Sequence, residues 1–411
     1  MSRRLLLIGL GMQGQAALHD MAGRAEFSRI VVADNRPDLD ALASRYPAAK
    51  VSAVRADASD HARLAALMRE ADLVVESLPA TLALSTGQLA ARCGVSLVSS
   101  MFYENCEGLD SAAAAAQRAA IGDLNRLARE QGVTILTEFG MDPGLDLLMA
   151  RRAVSEFDAV HTLHTYGAGL PAVEACANPL QYKFSWSPAG VMRSYRRPST
   201  VIREGRAVSI PAEEIFEARH VHSIEVRDLG TSLECFPNGD AVRYADLLGI
   251  RHSLRESGRY TGRYPGHCAF WNIVVQSGLL GSHPVTVGGA AVSPADYLAA
   301  ALSSQRQFQY AARERDLCFI RVAASGLRGG EPWEVVCQLI DYRDLTTGFT
   351  AMQRTVGFTM SRGAQLIAAG RLKPGLLTPL DVAYEDVLPA LEPHGIRVQI
   401  RRGQPDLRSE R

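Results

Sequence analysis

The stretch LIGLGMQGQAA, residues 7–17, decides how the rest of the chain is read. It spaces Gly9, Gly11 and Gly14 as GxGxxG between an apolar run and a segment of good helix formers. At a strand–turn–helix corner each glycine has its own reason. The first permits the tight turn, the second lets the backbone approach a pyrophosphate, and the third lets helix pack closely on strand. The first helical turn, around Met12 and Gln13, then points free N–H groups at that anion. The spacing alone is weak, because many such triplets are simple turns. Asp34 strengthens it: it ends the next β-rich run twenty positions after Gly14, where a carboxylate accepts hydrogen bonds from an adenosine ribose. The motif predicts a dinucleotide site. An acid there repels a ribose phosphate and favours NAD, whereas Arg36, one residue beyond Asn35, is the feature that would admit NADP.

Working outward, RLLLIGL, RIVVADN, DLVVESLP, SLVSSMF and VTILTEFG are near-continuous apolar runs, as strands buried on both faces of a parallel sheet require. Helix-forming segments lie between several of them. Residues 1–140 therefore predict an α/β fold, a doubly wound parallel sheet of Rossmann type. The carboxyl ends of its strands face the ligand crevice, which places Ser77, Leu78, Pro79, Ser99, Ser100 and Gly140 at the cofactor. From residue 141 to 351 longer strand candidates, AVHTLHTYGAG, TSLECFP and PWEVVCQLIDYRD, alternate with Gly and Pro and predict a mixed α+β second domain. The tail from about 352 to 411 combines a helix with a final strand and is expected to return to the first domain, its last nine residues fraying.

Composition narrows the partners. The chain has 411 residues, and its 44 basic and 44 acidic side chains cancel, so no bulk field attracts nucleic acid or an anionic membrane. A small molecule is the expected partner. Seven cysteines, Cys106 among them, lack a CxxC pair and make an odd count, which points to reduced thiols in a cytoplasm. No apolar run approaches the ~18 residues of a membrane span. His220 with His222, and His161 with His164, have no evident third ligand, so no metal is expected.

Three blocks, EFGMDPGLDLL (138–148), GAGLPAVEACANPLQYKFSWSPAGVM (167–192) and YTGRYPGH (260–267), resemble the saccharopine dehydrogenase family, in particular its glutamate-forming reductases and the related lysine 6-dehydrogenases. The resemblance covers nearly the whole chain. It implies a Rossmann domain rejoined by the C-terminal segment, a second domain for the amino-acid substrate and for homodimer formation, and hydride transfer at a carbon–nitrogen bond. By motif it puts Asp142, Ser100 and Met101 at substrate and nicotinamide, and Arg263 at a substrate carboxylate. Two departures stand out. Met101 occupies a position where the family usually has Tyr, with Tyr103 as a substitute, and Gly239 in FPNGD occupies an arginine position, with Arg243 nearby. A missing guanidinium counts against a substrate with three carboxylates.

The segment NPLQYKFSWSP (178–188) is expected to wall the cleft between the domains, with Trp186 and its neighbouring aromatics against nicotinamide or substrate. The alternative is that Tyr182, Phe184 and Trp186 alternate along a strand and simply pack. Lys183 either holds a carboxylate and relays a proton or forms a salt bridge. Glu174 is a site carboxylate or a structural ion, and His267 a site or core histidine. Asp142 is the candidate for steering the amine. The leading expectation is hydride transfer at the carbon–nitrogen bond of an amino-acid-derived secondary amine or its imine, the runner-up oxidative deamination of a primary amine as in the lysine 6-dehydrogenases, and the third a non-catalytic NAD-binding scaffold.

Overall fold

The computed structural model describes residues 3–104 and 111–404, so Cys106 and the expected fraying beyond residue 404 lie outside the described residues. The chain divides into two compact units, Met1–Leu148 with Gln353–Ile396, and Met149–Met352 with Arg397–Arg411.

The first unit begins with β1 (Arg3–Ile8), α1 (Met12–Ala22), β2 (Phe27–Asp34), α2 (Leu39–Ala43), β3 (Val51–Arg55), α3 (His61–Arg69), β4 (Leu73–Glu76), α4 (Ala80–Arg92), β5 (Ser96–Ser99), α5 (Ser111–Glu130) and β6 (Thr134–Leu136). Helix α6 (Leu145–Val154) carries the chain into the second unit. The sheet has seven parallel strands, with β1 between β2 and β4. Leu6, Ile8, Val74 and Leu97 lie in one apolar layer with Leu64, Met68, Ala83 and Ala90 of α3 and α4, as helices covering a parallel sheet demand.

The second unit contains β7 (Ala159–Pro171), α7 (Pro188–Ser194), β8 (Ser199–Arg203), β9 (Arg206–Ile210), β10 (His222–Val226), β11 (Thr231–Pro237), α8 (Ala241–Leu247), β12 (Glu256–Arg263), α9 (His267–Gln276), the ribbon β13 (Val285–Val287) and β14 (Ala290–Val292), α10 (Pro294–Ser303), β15 (Asp316–Arg328) and β16 (Glu331–Tyr342). Its nine-stranded sheet is mixed. The long strand β7 runs parallel to β12 on one side and antiparallel to β15 on the other.

The chain then returns through α11 (Ala351–Ala368), β17 (Gly375–Leu377) and α12 (Tyr384–Leu391). β17 extends the first sheet beside β6. Helix α11 packs on α1 at a glycine: a Cβ at Gly357 would stand 2.7 Å from that of Ala16. Asp20 of α1 fastens the contact, accepting hydrogen bonds from Ser361 Oγ (2.6 Å) and Arg24 Nη2 (2.6 Å) and lying 3.2 Å from His394 Nε2. Burial opposes its charge, but the bonds from His394, Arg24 and Ser361 prevail and hold the carboxyl at about 2.

Two expectations are corrected here. The last strand, β18 (Val398–Gly403), does not join the first domain but pairs antiparallel with β16, from Leu339 opposite Val398 to Glu334 opposite Gly403. Residues 178–187 form no strand, because Gln181 takes a left-handed φ of 47° that breaks any two-residue alternation.

Candidate active site

The glycine loop has the geometry its spacing requires. Gly9 has φ 91°, and a Cβ there would lie 2.5 Å from the Ser77 carbonyl oxygen. A Cβ at Gly14 would collide with the Gly9 carbonyl, whereas one at Gly11 would meet nothing within 4 Å. The first and third glycines are demanded by packing, and the second opens onto free space where a ligand can approach. Met12 and Gln13 follow in the first turn of α1, whose N-cap is Gly11 and whose N-terminus receives no side-chain cap among the described residues, leaving donors for an anion.

Asp34 is already engaged by the loop. One carboxylate oxygen accepts from Leu10 N–H (2.5 Å), the other from Arg36 N–H (2.8 Å). Arg36 donates to both oxygens of Asp38 (2.5 and 2.9 Å) and to Leu10 O (2.5 Å). Asn35 reaches Asp57 at 3.3 Å.

At the carboxyl ends of β4 to β6 the chain is held by its own backbone. Ser77 N–H donates to Ile8 O (2.8 Å), and Leu78 N–H to Glu76 Oε1 (2.6 Å), while Pro79 opens α4. Phe139 N–H donates to Ser99 O and Glu138 N–H to Met101 O, both at 3.0 Å. Ser100 lies against Gly140, where a Cβ would be 3.1 Å from that of the serine. Asp142 stands exposed on the following turn. Tyr103 departs from expectation: it is buried in the apolar layer against Gly87 of α4, with half-buried Met101 beside that layer. It is core, because α4 offers a glycine-sized gap that its ring fills.

In the second unit a cage surrounds Arg263, which is 4% exposed. Its guanidinium donates to Tyr195 OH (3.2 Å) and Gly262 O (2.8 Å) and lies 5.0 Å from the Tyr182 ring centre. His267 shares Tyr195 OH at 2.8 Å, and burial together with the charge of Arg263 drives its pKa well down, so it is neutral. Trp271 stacks edge-on against Tyr195, and Trp186 borders the cluster from above Gly190. Tyr182 OH, Ser185 Oγ and Trp271 Nε1 are buried without partners among the described residues.

Lys183 does not join Tyr182 at Arg263. It pairs with Glu314 at 2.6 Å, facing a hollow of about 420 Å³ lined also by Arg306 and Tyr310. Successive residues of an irregular segment have simply turned to different surroundings. Glu174 is exposed and makes no ion pair among the described residues. Gly239 has φ 99°, and the space beside it holds Arg259, whose Nε would be 3.4 Å from a Cβ there. Arg259 and Arg243 both lie on the Tyr244 ring, at 4.4 and 4.9 Å. Glu214, Glu217 and His220 bring ligand atoms within 4.8 Å of one another, but Arg219 occupies both carboxylates at 2.7 and 2.8 Å, so the cation they hold is a guanidinium.

Sequence reasoning missed Glu76, Tyr195 and Arg259. A charge inside DLVVESLP was a readable signal for Glu76; nothing local marked the other two.

Two family models match the chain, one described as the saccharopine dehydrogenase NADP binding domain over residues 5–136 and one as the saccharopine dehydrogenase C-terminal domain over residues 140–396. The mitochondrial alpha-aminoadipic semialdehyde synthase of Bos taurus is 24% identical over 96% of this chain and 47% of its own length, so the chain spans about half of that relative. A saccharopine dehydrogenase [NADP(+), L-glutamate-forming] of Schizosaccharomyces pombe is 24% identical over 96% of this chain and 98% of its own. Among solved structures, apo saccharopine dehydrogenase (L-Glu forming) from Saccharomyces cerevisiae superposes with a TM-score of 0.82 at 23% identity, covering 98% of this chain and all of that one. The homospermidine synthase of Legionella pneumophila gives 0.67 at 12% identity, over 100% and 94%.

The glycines separate folding from binding. Gly11→Val is expected to leave the melting temperature unchanged while abolishing NADH binding, and Gly14→Val to destabilise the fold itself. Fluorescence titration beside thermal unfolding checks both, and equal melting temperatures for the two variants would contradict the assignment.

Proposed function

The chain belongs to the saccharopine dehydrogenase family, and from that premise we propose that it is an NAD(P)-dependent oxidoreductase acting at the carbon–nitrogen bond of an amino-acid-derived secondary amine. The observation that carries the reading is the Arg263 guanidinium. It is a permanent charge whose partners among the described residues, Tyr195, Tyr182 and Gly262 O, are neutral, and a buried cation without a counter-ion costs several kcal/mol. A substrate carboxylate offsets that cost through a charge-assisted, bidentate contact.

The open face of Gly11, the uncapped start of α1 and Asp34 fit a dinucleotide. When bound, its nicotinamide supplies a hydride acceptor or donor. In the second unit Arg263 is suited to hold a carboxylate, with neutral His267 keeping Tyr195 turned toward it; in the first unit Asp142 is the candidate acceptor of the proton that the amine must shed before a C–H bond can break. The pair of Lys183 with Glu314 supports a structural role for that lysine. We further propose NAD over the NADP of the relatives' names, because Asp34 opposes a ribose phosphate and Asp38 already neutralises Arg36.

We propose a homodimer formed through the second unit. Residues 267–295 contain no Asp, Glu, Lys or Arg and expose Phe270, Ile273, Leu279, Val285 and Val287. The ribbon β13–β14 forms a separate two-stranded sheet, which is marginal without further packing.

Four outcomes follow. NADH should form from saccharopine but not from lysine; turnover of lysine alone would favour a primary-amine substrate instead. In the saccharopine assay Arg263→Met should raise KM about 100-fold without lowering the melting temperature, whereas Asp142→Asn should lower kcat; a lower melting temperature for Arg263→Met would make the arginine structural. Asp34→Ala should weaken NADH about tenfold or more and narrow the NADH/NADPH preference, an unchanged ratio removing Asp34 from the ribose. Ile273→Lys with Val287→Lys should sediment as a monomer where the parent chain sediments as a dimer.

A further inference from the structure

The pairing that keeps Lys183 out of the proposed reaction leaves its ammonium on the wall of the second unit's hollow of about 420 Å³. Ala177, Arg306, Tyr310, Ala311 and Glu314 share that wall, and the volume lies within the range of small-molecule sites, about 300–1,000 Å³. The segments that frame it are fixed by hydrogen bonds. Asn178 is buried and joins two of them: its Nδ2 donates to Tyr182 O (2.8 Å) and Gln307 O (3.0 Å), while its Oδ1 accepts from Leu180 N–H (3.1 Å). Phe184 N–H adds a bond to Phe308 O (3.0 Å). On the segment that carries Glu314, Arg343 Nη1 donates to Ala311 O (3.0 Å) and Glu314 O (3.1 Å).

The charges on this wall do not balance. Lys183 is 4% exposed, and an ammonium has three N–H donors. One meets Glu314 Oε2 at 2.6 Å, and Nζ makes no other hydrogen bond among the described residues. That oxygen is itself shared, since Ala311 N–H donates to it at 2.8 Å. Arg306 stands exposed on the single turn Arg306–Phe308 and has no ion pair among the described residues. The side-chain nitrogens of Gln307 and Gln309 are engaged by Gln305 Oε1 (2.7 Å) and Ser303 O (2.8 Å). Two cations against one carboxylate leave a single positive charge in excess, with a buried ammonium short of acceptors and a guanidinium at the rim.

These conditions select the ligand. A neutral molecule leaves the excess charge unmet, and a dianion meets repulsion from Glu314. A carboxylate of single charge satisfies both cations through charge-assisted bonds, and Ala177, Ala311 and the Tyr310 ring offer a short carbon chain an apolar surface. We propose that the hollow is a second carboxylate site of the second unit, in which a small monocarboxylate accepts hydrogen bonds from Lys183 Nζ and from the Arg306 guanidinium. It differs from the cage around Arg263 in the cations that hold the anion and in the presence of an acid beside them.

Propionate is the probe, and its binding to the full chain is followed by saturation-transfer NMR. Because Arg263 is also read as a carboxylate holder, each titration is made in the Arg263→Met background as well as in the parent. Propionate should still bind to Arg263→Met. Adding Arg306→Ala should weaken it about tenfold or more, and adding Arg306→Glu should abolish it. Lys183→Met with Glu314→Gln removes both ions of the pair, leaves no buried charge without a partner, and should abolish binding as well. Inorganic phosphate above neutral pH, largely a dianion, should bind more weakly than propionate. Loss of binding in Arg263→Met alone overturns the proposal, as does binding that survives Arg306→Glu or the paired replacement; phosphate that binds as well as propionate overturns the carboxylate assignment. Should Arg263→Met fail to fold, a crystal of the parent soaked in propionate decides: density between Lys183 and Arg306 supports the site, and an empty hollow overturns it.

Discussion

Three backbone segments meet at Gly9 at distances that only absent side chains allow. The Gly9 carbonyl takes the space of a Cβ on Gly14, and the Ser77 carbonyl takes that of a Cβ on Gly9. The end of β1, the start of α1 and the loop after β4 are thereby locked together. From that lock the N-terminus of α1 emerges uncapped at the carboxyl edge of the sheet, and Asp34 is drawn onto Leu10 N–H, steadying the loop before it serves any ligand. The far end of α1 is fixed by Asp20 and by the close approach of Gly357, which is why residues 353–396 return to this unit.

Desolvation acts on Arg263 and Glu76 alike but ends differently in each. A guanidinium cannot shed its proton at any accessible pH, so Arg263 keeps its charge and accepts the partial relief of the Tyr182 and Tyr195 rings, about 0.5–2 kcal/mol. A carboxyl has the other exit. Burial pushes the Glu76 carboxyl up to about 7, so it keeps its proton to a higher pH than an exposed glutamate. The uncompensated arginine therefore points to an anionic ligand, whereas the uncompensated glutamate points to a protonation equilibrium.

Most of the first unit was legible because strands buried on both faces write themselves as unbroken apolar runs. β3 was not: it lies at the sheet edge, mostly half-buried, and VSAVR looks like a loop. β17 has three residues, too few to show any period. β18 was recognised as a strand but given the wrong partner, since alternation reveals a strand's faces and says nothing of its neighbour. The glycine loop and Asp34 were readable because each position has a local backbone reason. The cage around Arg263 was readable only in part. Tyr195 reaches it from the C-cap of α7, sixty-eight residues away in sequence, and no spacing rule carries such a contact. The opposite fates of Tyr182 and Lys183 depend on the left-handed turn at Gln181, a conformation that glutamine seldom signals.

Gly239 shows how a sequence departure changes meaning once its backbone is known. Taken alone, a glycine in an arginine position removes a guanidinium. Its φ of 99°, however, lies where a side chain costs about 1–2 kcal/mol, and the adjoining space already holds the guanidinium of Arg259. That cation arises from β12, on the same face as Arg263 and four residues, roughly 13 Å, away. A charge borne by a ladder-paired strand is held more firmly than one carried on a loop, and here it also lies on the Tyr244 ring. A cation borne by β12 thus stands beside the position that Gly239 leaves without one.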